Sequence, residues 1–258
     1  MRIMILAAAL AGALGLVSPS IAQPAKPAVV LVHGAFADSS SWDGVVTELT
    51  RDGYRVVAAA NPLRGASSDA AYVAAVVKSV GAPVVLVGHS YGGTVITQAA
   101  EGVANVKGLV YVSAFAPDVG ESSFGLAGKF PGATLGAALA PPVNLPGGGQ
   151  DLYIQQDRFP AQFAADVPLA KAKLMAAGQR PITQAAGDEK VAKVAWKALP
   201  SWFIYGSADL NIPPAAQAFM AERAHARKTV VVPGASHVVM VSHPHEVAAL
   251  IEAAAQSQ

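Results

Sequence analysis

The sequence predicts an α/β protein: an open, doubly wound sheet of six parallel strands, with helices on both faces. Three observations predict it. Six short apolar runs rich in β-branched residues recur along the chain, and helix-like segments separate most of them. The runs also lack polar alternation, as in Val29-Val30-Leu31-Val32 and Val84-Val85-Leu86-Val87, which is the pattern of strands buried on both faces.

The expected strands, in order, are residues 28–33, 55–60, 83–89, 106–114, 201–206 and 228–233. The expected helices are 41–51, 69–80, 92–102, 214–223 and 245–255. Ser242 is placed to cap the last helix, with Pro244 in its first turn and Glu246 following. One stretch, about 116–200, breaks the alternation. It carries the helical patterns 167–177 and 189–199, no clear buried strand, and loop-like Pro141-Pro142 and Gly147-Gly148-Gly149. It reads as a mostly helical cap inserted between the fourth and fifth strands, over the carboxyl edge of the sheet.

Composition excludes several classes. The 258 residues are 53% hydrophobic and 14% charged, with net charge +1, so a disordered chain is excluded. Lys and Arg are scattered without a basic cluster, which argues against a nucleic-acid partner. With no cysteine, disulfides, thiol catalysis, Cys-ligated metals and lipid attachment are all excluded. No clustered metal-ligand spacing is present, and no cofactor is expected.

The first residues read as an address. Met1 and Arg2 precede an apolar run over 3–17, and Ser20-Ile21-Ala22 forms a small-x-small cleavage signature ahead of Gln23. The run is shorter than the roughly 20 residues of a membrane span. The expectation is a secretory signal peptide over 1–22 cleaved after Ala22, a Pro-rich leader over 23–27, and one domain over 28–258. The mature chain would be periplasmic or secreted, with no membrane association.

The chemistry concentrates at three places. Gly88-His89-Ser90-Tyr91-Gly92-Gly93 follows the third strand directly and opens a helix. G-x-S-x-G in that context is a nucleophile elbow, in which Ser90 sits on a strained turn above the sheet. Side chains at 88 and 92 would collide with neighbouring backbone. Serine needs a base within reach, and His237 follows the last strand. Asp209, after the fifth strand, is placed to orient that base, with Asp118 after the fourth strand as the alternative acid. For a developing oxyanion, the backbone N–H groups of Tyr91 and Ala35 are the expected donors, with Phe36 second to Ala35. Among the other histidines, His33 and His89 are expected to hold turns together, His225 to be solvated, and His243 and His245 to serve surface or capping roles.

These motifs make the chain resemble the α/β-hydrolases over essentially all of its mature length. The order Ser90, Asp209, His237 is theirs, as is Val32-His33-Gly34-Ala35-Phe36 after the first strand. Within them it is similar to compact bacterial carboxylesterases related to plant methylesterases and hydroxynitrile lyases. The resemblance implies strand order 2-1-3-4-5-6, with Ser90 beside the switch point between strands 1 and 3. Relatives with dehalogenase or epoxide-hydrolase chemistry use an Asp nucleophile, which Ser90 disfavours. Hydroxynitrile lyases carry Thr and Lys where this chain has Gly34 and Val238, which disfavours cyanide release.

The function expected is that of a serine hydrolase cleaving carboxylic esters of small, largely apolar substrates through an acyl-enzyme. The same triad would also serve a lactonase or a cofactor-free perhydrolase or haloperoxidase, and a non-catalytic, ligand-sensing role is a further alternative. Phe36, Phe124, Phe159 and Val238 are the expected substrate contacts. The cap also offers Phe130, Leu135, Tyr153, Phe163 and Met175, and Met240 follows the base. Trp42 and Trp196 are expected to pack.

Overall fold

The computed structural model describes residues 26–257. The signal segment expected over 1–22, its cleavage after Ala22 and residues 23–25 of the leader lie outside these.

Six strands form one parallel sheet: β1 (Ala28–Val32), β2 (Val56–Ala59), β3 (Val84–His89), β4 (Val106–Val112) and, after the cap, β8 (Ser201–Gly206) and β9 (Lys228–Val232). Three short cap strands, β5 to β7, are described below. The order β2-β1-β3-β4-β8-β9 is the order that the resemblance implies. Every residue of β1, β3 and β8 is buried, and in β4 only Lys107 reaches solvent. Burial on both faces is why these runs carry no polar alternation. The helices α1 (Asp43–Arg51), α2 (Ala66–Ser79) and α3 (Tyr91–Ala99) supply the cover. Helix α2 packs on α3, and α1 packs on the last helix of the chain.

Helix starts differ from expectation by a few residues. A 3-10 turn, Ser39–Trp42, precedes α1, and the Asp38 side chain caps it by accepting from the Ser40 amide. Helix α2 starts three residues early, at Ala66.

The cap contains α4 (Ser123–Gly128), α5 (Leu135–Ala138), β5 (Val143–Asn144), β6 (Gln150–Leu152), α6 (Phe159–Phe163), α7 (Leu169–Gly178), β7 (Ile182–Thr183) and α8 (Gln184–Asp188). Its strands pair as a small antiparallel sheet, β5-β6-β7. Strands of two or three residues leave no periodicity to read. The helix expected over 189–199 is corrected to an extended segment with one 3-10 turn, Ala195–Lys197. Val191 exchanges backbone hydrogen bonds with Gly120 and Glu121 in place of a helical partner.

After β8 come α9 (Pro214–Arg223), β9, α10 (Val239–Ser242) and α11 (Pro244–Gln256). Ser242 does not cap α11. His243 occupies that position without a side-chain cap, and the Ser242 hydroxyl bonds the His243 ring.

Candidate active site

Ser90 joins β3 to α3 with φ 53° and ψ −124°, a left-handed backbone that a non-glycine residue adopts only under constraint. The surrounding glycines make the turn possible. A Cβ at Gly88 would lie 2.6 Å from the Gly92 carbonyl oxygen, and one at Gly92 would lie 2.4 Å from that of Val32. At Gly34 it would meet the Ser90 Cβ itself at 2.6 Å. The β1 loop thus lies directly against the elbow. Tyr91 is the first residue of α3, so its amide is one of the orphan donors of a helix N-terminus. Among the described residues no acceptor takes the Ala35 amide. The Phe36 amide, by contrast, is engaged by the Arg180 carbonyl at 2.8 Å. The Phe36 alternative for the oxyanion is therefore corrected: its donor already holds the cap.

His237 and Asp209 meet below the cap. His237 Nδ1 lies 2.8 Å from Asp209 Oδ2, with the residues only 1% and 2% exposed. Asp209 Oδ1 accepts from the amides of Asn211 (2.8 Å) and Ile212 (3.0 Å), and Oδ2 also accepts from Gln217 Nε2 (2.9 Å). Facing a carboxylate, Nδ1 must donate, which leaves the lone pair on Nε2. Gly206 allows this approach: a Cβ there would sit 2.1 Å from the Ala235 carbonyl oxygen on the histidine loop. Asp118, the alternative acid, lies elsewhere and pairs with Lys197 at 2.6 Å.

The other two buried histidines hold backbone. His33 Nδ1 donates to the Gly34 carbonyl at 2.9 Å, and Nε2 accepts from the Asn61 amide at 3.1 Å. Burial pulls its pKa down to about 4, so the ring is neutral. His89 Nε2 donates to the His237 carbonyl at 3.2 Å, and the two rings stand 4.8 Å apart. Burial, then the His237 ring beside it, drives the His89 pKa well down.

One feature had no sequence signal. The Tyr91 phenol donates to Asp69 Oδ2 at 2.8 Å, and the Arg64 amide lies within 3.2 Å of both Asp69 oxygens. Asp69 is fully buried, which raises its pKa, and burial together with Asp69 raises that of Tyr91. The Arg64 side chain continues into the cap, to Asp151 (2.6 Å) and the Pro181 carbonyl (3.0 Å). A chain of contacts therefore runs from the cap to the residue after Ser90.

Ser90, His237, Ala35 and Tyr91 line one small cavity, closed by Phe36, Phe115, Phe124 and Phe163. Of the expected substrate contacts, Phe36 and Phe124 are there. Phe159 and Val238 are not, and both are completely buried. Phe159 packs behind Phe163, their rings 4.8 Å apart. Ser123, Asn211 and Ile212 also reach the cavity without having been anticipated. Among the described residues no group of three or more His, Asp or Glu could hold a metal ion, and no helix is long and apolar enough to cross a membrane.

Residues 29–250 match the profile of a family described as the alpha/beta hydrolase family. The chain is 27% identical over 250 residues to the alpha/beta hydrolase nvfD of Aspergillus novofumigatus, covering 89% of this chain and 97% of that one. It is 33% identical over 113 residues to a carbendazim hydrolyzing esterase of a Nocardioides species, covering 39% of this chain and 47% of that protein. Among solved structures, polyneuridine aldehyde esterase superposes with a TM-score of 0.76 at 21% identity, over 88% of this chain and 98% of its own.

Proposed function

The chain belongs to the alpha/beta hydrolase family, and we propose that it is a carboxylic ester hydrolase acting on small, largely apolar esters through Ser90, His237 and Asp209. The observation that carries this reading is the buried 2.8 Å contact of His237 Nδ1 with Asp209, in a cavity shared with Ser90. The names of the Aspergillus and Nocardioides relatives support hydrolysis in general terms.

The chemistry follows from the tautomer. His237 Nε2 takes the Ser90 proton as the oxygen attacks the ester carbonyl. The Ala35 and Tyr91 amides face the negative charge that develops. As the tetrahedral intermediate collapses, the proton passes to the departing alcohol and an acyl-Ser90 remains. Water, deprotonated by His237, attacks the acyl group and releases the acid and Ser90. Asp209 orients the ring and stabilises the imidazolium in both halves. Esters are favoured over amides because the alcohol leaves more readily and the ester carbonyl lacks the resonance that deactivates an amide. Export over residues 1–22 would put this activity in the periplasm or outside the cell.

The test is hydrolysis of p-nitrophenyl acetate, butyrate and octanoate by the wild type and by Ser90→Ala. Turnover lost in the variant is the expected result. Full activity of Ser90→Ala would overturn the reading.

A further inference from the structure

The cavity around Ser90 and His237 is too small for the reaction proposed for it. Its free volume is only about 30 Å³. Small-molecule sites typically offer roughly 300–1,000 Å³. A hollow of about 370 Å³ lies next to it, between the loop after β1 and the cap helix α7. Phe36 lines both spaces, and no other residue lining the first also lines the second.

Phe36 is shared by the two spaces, and its backbone is held. Its φ is 60°, and its amide is tied to Arg180 in the cap. Its ring touches Phe163 edge-on, with centroids 6.1 Å apart. With the main chain held at both points, rotation about the side-chain bonds is the motion that would join the two spaces. Beyond the ring the walls are largely apolar, with Ala37, Leu174, Met175 and Val241. Of the acids there, Asp38 is engaged by the Ser40 amide and hydroxyl (2.8 and 2.6 Å), and Asp43 is exposed, as is Lys171.

We propose that this hollow seats an apolar arm of the ester, and that the arm displaces the Phe36 ring as the substrate binds. The assignment rests on the ester-hydrolase reading above and gives it a substrate class: an ester with one small group and one alkyl or aryl arm.

The test fills the hollow. Met175→Trp narrows it, and so does Gly178→Leu, at a position where an added Cβ meets nothing within 4 Å. Two ester series are compared, p-nitrophenyl alkanoates with the arm on the acyl side and alkyl acetates with it on the alcohol side. In one series, both variants should lower the long-to-short ratio of kcat/KM at least tenfold. Phe36→Ala should raise the same ratio at least threefold, which probes the hollow without adding bulk. Melting curves establish that each variant is folded. Ratios within twofold of wild type in all three variants and both series, with hydrolysis retained, would overturn the assignment while leaving the ester-hydrolase reading intact. A folded wild type that hydrolyses no ester would overturn that reading, and this assignment with it.

Discussion

Asp209→Asn should disable the site while leaving the fold in place, and the reason lies in which atoms donate. All four partners of the Asp209 carboxylate are donors: the Asn211 and Ile212 amides on Oδ1, and Gln217 Nε2 and the His237 ring on Oδ2. An asparagine must turn its NH2 toward one of these pairs. Facing Oδ1 it would oppose two backbone N–H groups that cannot move, so it takes the Oδ2 side. There it opposes Gln217 and forces His237 to accept at Nδ1. The ring proton then sits on Nε2, the atom that must receive the Ser90 proton. Such a tautomer switch costs about 10⁴ in turnover in a serine triad, or roughly 5.5 kcal/mol at 1.36 kcal/mol per tenfold. The opposed donor at Gln217 should cost a further 1–3 kcal/mol, roughly, of stability. The assays are kcat/KM for p-nitrophenyl butyrate and a thermal melt. A variant within tenfold of the wild-type kcat/KM would refute this role for Asp209.

Three further outcomes are expected. Gly92→Ala places a Cβ 2.4 Å from the Val32 carbonyl oxygen, so the elbow must shift. A melt should show a loss of about 1–3 kcal/mol, and misplacing Ser90 by about 1 Å should lower kcat/KM roughly 10²-fold. Tyr91→Phe removes the phenol donor from buried Asp69, and should destabilise the fold by about 1–3 kcal/mol in urea unfolding. The contribution of buried His33 to stability should also fall as pH drops from 6.5 to 4, against an opposite slope from Asp69, whose raised pKa makes the folded chain the one that takes up protons there. His33 titrates near 4 in the folded state and 6.5 unfolded, so the unfolded chain binds more protons across that window. The contribution is complete above pH 6.5 and lost by pH 4, about 3 kcal/mol in all. The carboxylates of Asp118, Glu121 and Asp166, whose pKa values are lowered, lose their contributions at lower pH still. His33→Asn should flatten the slope of melting temperature against pH between 6.5 and 4, and an unchanged slope would remove His33 as its source.

The elbow and the sheet were legible in sequence because their causes are local. Gly88, Gly92 and Gly34 are needed where backbones pass within van der Waals contact, and buried parallel strands show as unbroken apolar runs. Asp209 and His237 were legible because each follows a strand that ends at the same sheet edge. What was hidden depends on distant packing. Nothing near Asp69 announces that it will receive the Tyr91 phenol, since the partner comes from another helix. Phe159 and Phe163 stand one turn apart on the five-residue helix α6 and are indistinguishable by type. The seating of the cap alone turns Phe163 to the cavity and buries Phe159 behind it. Val238 adjoins His237 in sequence, yet is fully buried away from the cavity. In the segment 189–199, apolar spacing suggested a helix, but the backbone of Val191 found its partners at Gly120 and Glu121.

The most direct test of Ser90 as nucleophile is covalent. The protein would be treated with a fluorophosphonate, digested, and the adduct located by mass spectrometry. A single adduct on the peptide containing Ser90 is expected, absent in Ser90→Ala and formed far more slowly in Asp209→Asn. A folded wild type that takes no label, or that carries it on another residue, would contradict the assignment.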